Sequence, residues 1–170
     1  MTNNNCHRVP VIYKFTNQKL MANTFSQVYL HIVFSTKNRA ELIGPEIEND
    51  IWAGIGGCAR KHKMVPLQIG GMENHAHALV STPTTISPSQ AAKYLKGDPS
   101  LWVHREFAEL RHFGWQDGYG VFSVSRSAVP DVIKYIQDQR LHHQHQSFED
   151  EYVTLLKLHG VDYEERYLFD

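Results

Sequence analysis

The sequence predicts an α+β fold: a ferredoxin-like (split β-α-β) antiparallel sheet with helices on one face and extra C-terminal helices. Segments rich in β-branched and aromatic residues alternate with segments of helical period, in the order β-α-β-β-α-β. Glycine, proline and serine signals separate them, and helical patterning continues for two more stretches after the fourth strand. In this layout one sheet face is covered by helices and the other is left free for chemistry. The layout hosts many activities, so function has to be read from particular side chains.

Residues 1–20 carry no clean period and precede an internal Met21, after which strong patterning begins. They read as an N-terminal tail or extension, with 21–170 as a single domain. Gln27 to Phe34 is a strand by composition. Glu46 to His62 follows Pro45 and places Ile47, Ile51, Trp52 and Ile55 at helical spacing, with cations at its end. Met64 to Ile69 and His75 to Ser81 are two further strands, with Gly70-Gly71 as the turn signal between them. Ser87-Pro88 opens a helix from Ser89 to about Arg105, with Gly97-Asp98-Pro99 as an expected interruption. Tyr119 to Ser125 alternates as a fourth strand. Ser127 caps a third helix that runs past Tyr135 to about His145. Ser147, with Asp150 three residues on, fits a looser capping signal and starts a fourth helix that ends near Gly160.

At 170 residues the chain suits one domain with a proper core. No apolar run reaches the roughly 18–20 residues that cross a bilayer, and the polar start with Asn3, Asn4 and Asn5 does not look like a signal peptide. Cys6 and Cys58 are too few for a disulfide framework and form no Cys-x-x-Cys pair. These features predict a cytoplasmic protein. Lys and Arg number 17 against 18 Asp and Glu, so overall charge does not drive binding to long duplex DNA. Any nucleic-acid site must be local.

The sharpest local signal is His75-Ala76-His77. Residues i and i+2 of a strand share a face, so both imidazoles project together while Ala76 turns away. Two neutral imidazoles side by side can begin a divalent-metal site, although they can equally be two histidines on a polar strand face. A second signal is Tyr135-Ile-Gln-Asp-Gln139, in which the phenol and the carboxamide stand on one helical face at i and i+4. Alone, that pair reads as a half-buried Tyr beside an exposed Gln. Together the two segments can build a three-ligand, open metal site with a phenol one turn away. Such a site can neutralise charge in phosphoryl displacement, and a tyrosine can serve as covalent nucleophile.

Several segments carry a family resemblance. They are Tyr29-Leu-His-Ile-Val-Phe-Ser-Thr-Lys-Asn-Arg39, Gly71-Met-Glu-Asn-His-Ala-His-Ala-Leu-Val80 and Ile86-Ser-Pro-Ser-Gln-Ala-Ala-Lys-Tyr-Leu-Lys-Gly97. Trp115-Gln-Asp-Gly-Tyr-Gly-Val-Phe-Ser-Val124, Tyr135-Ile-Gln-Asp-Gln-Arg-Leu-His-His143 and the stretch from Phe148 to Tyr167 complete the set. Taken in order over roughly 24–167, they resemble the single-tyrosine transposases of the HUH endonuclease superfamily, in the insertion-sequence and repeat-associated group. The resemblance implies that His75 and His77 are metal ligands, Gln139 the third ligand and Tyr135 the nucleophile. The family pattern has a bulky hydrophobe between the histidines, and Ala76 departs from it, which bears on packing behind the strand more than on the metal. The resemblance further implies magnesium or manganese, a homodimer, and single-stranded DNA with hairpin ends as substrate. The implied reaction is transesterification through a 5′-phosphotyrosine.

Single-strand binding combines cations on phosphates with stacking aromatics. Lys37, Arg39, Lys93, Lys96 and Arg126 are candidate phosphate contacts, each reading equally as an ordinary solvated charge. Trp115 and Tyr119 offer stacking faces, with core packing or a turn anchor as the competing reading. Gly54-Ile-Gly-Gly-Cys-Ala59 matches a dinucleotide fingerprint but lies inside a helical pattern, so close helix packing explains it. His142, His143 and His145 point different ways on a helix and read as an exposed face. A histidine-triad hydrolase would need a histidine at position 79, where Leu79 stands. The remaining alternative is a DNA-hairpin-binding module of the same fold that has lost its chemistry.

Overall fold

The central strand shows why the sheet is buried on both sides. In β1 (Val28–Ser35), Leu30, Ile32 and Phe34 point to one face and Tyr29, His31 and Val33 to the other, and all six are buried. A strand covered on one face only would alternate apolar with polar; this one does not.

The computed structural model describes residues 25–169, so the tail expected at 1–20, the start at Met21 and Cys6 lie outside the described residues. After β1 come α1 (Glu48–Lys61), β2 (Val65–Met72), β3 (His75–Thr82), α2 (Pro88–Glu106) and β4 (Gly120–Val124). Three more helices follow: α3 (Val129–Gln137), α4 (Gln139–His142) and α5 (Phe148–Leu158). The strands lie in the order β2-β3-β1-β4, all antiparallel. That is the expected split β-α-β arrangement.

On one face, α1 and α2 bury Ile51, Ile55, Ala91, Ala92 and Leu95 against Leu30, Ile32, Phe34, Ala76 and Ala78. Small Ala76, in place of a bulky residue, sits in this layer, fully buried. Gly54 belongs to the same layer: a Cβ there would lie 3.0 Å from the Trp102 ring, so close helix packing explains Gly54, whereas Gly57 faces open space. On the opposite face, α3 packs through Val129 and Ile136 against Tyr29 and Leu79. There α5 packs through Phe148, Tyr152, Leu155 and Leu156 against Val33 and Phe122. The second face is therefore covered by the C-terminal helices rather than free.

The local signals held at several termini and failed at others. Ser87 forms a full capping box with Gln90, and the Ser147 side chain accepts from the Asp150 amide at 3.1 Å. Ser127 does not cap α3; the N-cap is Ala128, whose amide donates to the Ser125 hydroxyl. Gly70 and Gly71 lie within β2, and the turn falls at Glu73-Asn74. Both glycines answer to close approach. A Cβ on Gly70 would lie 3.0 Å from Ile136 Cγ2 of α3, and Gly71 holds φ 154° against the backbone of His75 and Ala76. Gly97-Asp98-Pro99 does not interrupt α2, which absorbs Pro99. Instead, Asp98 accepts from Lys61 at 2.7 Å and lies 3.1 Å from His62, tying the helix to the end of α1. The third helix breaks at Asp138 into α3 and α4 rather than running unbroken to His145. No helix among the described residues is long and apolar enough to cross a membrane.

Candidate active site

Strand geometry brings His75 and His77 together as their spacing requires. Both are fully buried on the face covered by the C-terminal helices, with ring centroids 5.0 Å apart. Their outward nitrogens are held from behind. His75 Nδ1 lies 2.7 Å from Asn74 Oδ1, which accepts its proton, so Nε2 presents a lone pair. His77 Nδ1 meets Nε2 of His31 on β1 at 3.0 Å, and its own Nε2 is buried with no hydrogen-bond partner among the described residues.

The helix side delivers Tyr135 from α3 and Gln139 from the start of α4. Gln139 is buried, and its Oε1 lies 3.0 Å from His75 Nε2. The Tyr135 ring stands edge-on to His77, 5.9 Å between centroids. The four residues singled out by spacing thus meet in one cluster, from three elements.

Three further residues join them. Glu151 of α5 is only 2% exposed and accepts the Tyr135 hydroxyl proton and a hydrogen bond from Gln139 Nε2 (2.8 Å) on Oε1. Its Oε2 accepts from His143 Nε2 at 3.1 Å and lies 3.3 Å from His77 Nε2 and 3.5 Å from His75 Nε2. His143 is therefore turned inward, not part of an exposed face; the His142 ring lies tilted against Tyr135, 4.9 Å between centroids, and His145 stays exposed. His31 is the third addition. Glu151 left a trace in the sequence: it shares a helical stripe with Phe148, Tyr152 and Leu155, and a carboxylate on an apolar stripe is buried for a reason.

Charge states follow from these contacts. Burial, then the neighbouring His77, lowers both His31 and His75 to about 3, so both are neutral near pH 7. Burial works against charge on Glu151, but His77, His143 and His75 outweigh it and hold the carboxyl well below the usual range. Burial first, and the Glu151 charge second, push the Tyr135 phenol far up. His143 is raised by its hydrogen bond to Glu151.

A divalent cation fits this donor set. His75 Nε2, His77 Nε2, Gln139 Oε1 and a carboxylate oxygen converge with no proton to share among several of them. Facing lone pairs repel, and a cation among them turns that repulsion into coordination.

The candidate DNA contacts divide into two groups. Lys37, Lys93 and Arg126 are exposed. Arg39 pairs with Glu149 at 2.7 Å, donates to the Phe169 carbonyl and lies over the Phe169 ring. Lys96 donates to the carbonyls of Asp117 and Gly118 and lies over Tyr119. Trp115 is a core residue, edge-on to Phe34 and Phe113, whereas Tyr119 is 39% exposed.

A split β-α-β sheet with paired strand histidines facing a helical tyrosine defines a class, the single-tyrosine transposases of HUH type. Comparison with known proteins agrees. The profile of the family described as "Transposase IS200 like" matches residues 24–139, and the chain belongs to this family. It is 28% identical over 127 residues to the transposase for insertion sequence element IS200 of Salmonella typhimurium, covering 70% of this chain and 83% of the relative. The Salmonella typhi counterpart matches equally. Among solved structures, a candidate transposase from Deinococcus radiodurans R1 superposes with TM-score 0.59 at 20% identity, covering 72% of this chain and 98% of that one. A REP-associated tyrosine transposase bound to a REP hairpin superposes with TM-score 0.53 at 12% identity, covering 74% of each chain. At these identities the two structures speak for the fold.

Proposed function

We propose that this transposase cleaves and rejoins single-stranded DNA at Tyr135, with magnesium or manganese held by His75, His77 and Gln139. The observation that carries the reading is the meeting of those four side chains in one cluster, the buried His75, His77 and Gln139 with the half-buried Tyr135, from a strand and two helices.

The Tyr135 hydroxyl oxygen attacks a phosphodiester in line. An O–P bond to the 5′-phosphate forms as the phenol gives up its proton, the P–O3′ bond breaks, and the departing oxygen takes up a proton in its place to become a 3′-hydroxyl. A second 3′-hydroxyl then attacks the phosphotyrosine, joins the strands and returns the proton to Tyr135. One phosphodiester replaces another, so no ATP is consumed. Gln139, just past the break at Asp138, is packed against His75 and shares Glu151 Oε1 with the Tyr135 hydroxyl, which keeps the phenol registered to the histidine pair. A bound cation would supply charge neutralisation at a phosphoryl oxygen.

The substrate reading is a DNA hairpin end, supported by the hairpin bound in the REP-associated relative. Candidate phosphate contacts are Lys37, Arg39, Lys93, Lys96 and Arg126; Lys37 and Arg126 are exposed at strand ends, Lys93 is exposed on α2 over the sheet face away from the histidines, and Arg39 and Lys96 are engaged within the fold. Register puts Lys37 beyond the Ser35–His75 pair and Arg126 beyond the Tyr29–Val124 pair, at opposite ends of the sheet. The working form is a homodimer, and the setting is the cytoplasm.

The test incubates the protein with labelled single-stranded hairpins and magnesium or manganese, followed by a denaturing gel. A covalent adduct with the unaltered protein that vanishes in Tyr135→Phe supports the reading. Tight hairpin binding with no adduct under any condition replaces it with a hairpin-binding module without chemistry.

A further inference from the structure

The family match ends at residue 139, yet the polar cluster is completed from beyond it, by Glu151 and His143. Glu151 lies deep and has no conventional counterion. Among the described residues its ion-pair partners are His75, His77 and His143. A buried carboxylate costs several kcal/mol unless paired, so a missing positive charge at this point is the first physical indication.

The lone-pair account is the second. Asn74 takes the His75 Nδ1 proton, and His77 Nδ1 is occupied by His31, so Nε2 of each ring is left for the centre. Among the described residues His143 Nε2 donates to Glu151 Oε2, and His77 Nε2 approaches the same oxygen at 3.3 Å outside hydrogen-bond geometry. Oε2 thus stands among the two histidine nitrogens that face the centre, while Oε1 is taken by Tyr135 and Gln139.

The third indication is that the site is built to hold this carboxylate. Phe148 stacks on His75 at 4.5 Å, Ser147 caps α5, and Arg39 reaches both Glu149 and the Phe169 carbonyl. These contacts seat α5 over the histidine face and leave Glu151 little freedom.

We propose that Glu151 is a fourth protein ligand for the cation, presenting Oε2 to it while Oε1 holds the Tyr135 hydroxyl. One carboxylate then spans metal and nucleophile and fixes their separation. It also supplies the anionic oxygen that hard dications favour, which two imidazoles and an amide lack. His143 is a positioning residue, donating to the ligand oxygen. The inference rests on the metal reading of His75, His77 and Gln139.

The experiment reads metal binding without DNA or turnover. The full chain is titrated with Mn2+, and free ion is followed by electron paramagnetic resonance for the unaltered protein, His75→Ala and Glu151→Gln. Binding should be lost in His75→Ala and weakened roughly tenfold or more in Glu151→Gln, which keeps the side-chain shape and removes the charge. Unchanged affinity in a folded Glu151→Gln, with binding lost in His75→Ala, overturns this proposal and leaves the three-ligand site standing. No binding by the unaltered protein, or full binding by His75→Ala, overturns the metal reading itself. If Glu151→Gln does not fold, a crystal of the unaltered protein with Mn2+ decides the matter. A Glu151 oxygen within about 2.3 Å of the ion supports the ligand role, and one turned away from it overturns it.

Discussion

At the scale of single residues, the site is a contest between groups that all want a proton or a cation. Tyr135 gives its proton to Glu151 as a hydrogen bond, Gln139 gives another, His75 turns Nε2 to the centre because Asn74 holds Nδ1, and His77 Nε2 has no partner among the described residues. Removing one imidazole should therefore harm chemistry far more than substrate capture. His75→Ala is expected to abolish hairpin cleavage on a denaturing gel while hairpin affinity in a mobility-shift assay stays within about threefold, because phosphate contacts dominate affinity. Equal loss of both in a folded variant would instead assign the histidines to DNA contact.

Elements place these residues, and the seat of α3 on the sheet is the tightest joint. Gly70 in β2 lets Ile136 approach until a Cβ would stand 3.0 Å from its Cγ2 and 3.1 Å from its carbonyl oxygen. Ile136 adjoins Tyr135, so a shift here displaces the phenol proposed as nucleophile. Gly70→Val is expected to cost about 1–3 kcal/mol in urea unfolding, as overpacking does, and to lower cleavage by more than stability alone explains. Wild-type stability and activity in this variant would mean that α3 does not lie so close. α5 is the other decisive element, because it covers the sheet face and buries a carboxylate against it.

For the whole molecule, burying so many imidazoles makes folding pH-dependent. His31 and His75 stay neutral in the fold down to about 3, whereas in the unfolded chain they take up protons near 6.5. Between these values the unfolded state binds more protons, so stability rises with pH and is lost as pH falls. Glu151, lowered from its ordinary 4.5, adds the same sign at the acid end. His143 is raised, so its contribution is fully present below 6.5 and does not offset the slope there. The metal-free protein should show a melting temperature that drops steadily from pH 6.5 to pH 4. A flat profile would mean that these histidines are not buried as neutral groups.

The sequence alone determined what backbone periodicity controls. A period of two put His75 and His77 on one face, and Ser87 and Ser147 marked helix starts that the structure retains, whereas the helix expected to carry Tyr135 and Gln139 together breaks between them at Asp138. The element order was legible because each strand and helix announces itself within a few residues. Only the tertiary structure decided which faces meet. It placed α5 against the histidines, drew in Glu151, His143 and His31, turned Gly70-Gly71 from a turn into a packing joint, and committed Arg39 and Lys96 to the fold. His75 and Gln139 stand 64 residues apart, and a contact at that separation depends on how whole layers bury their apolar surface, which no local pattern records.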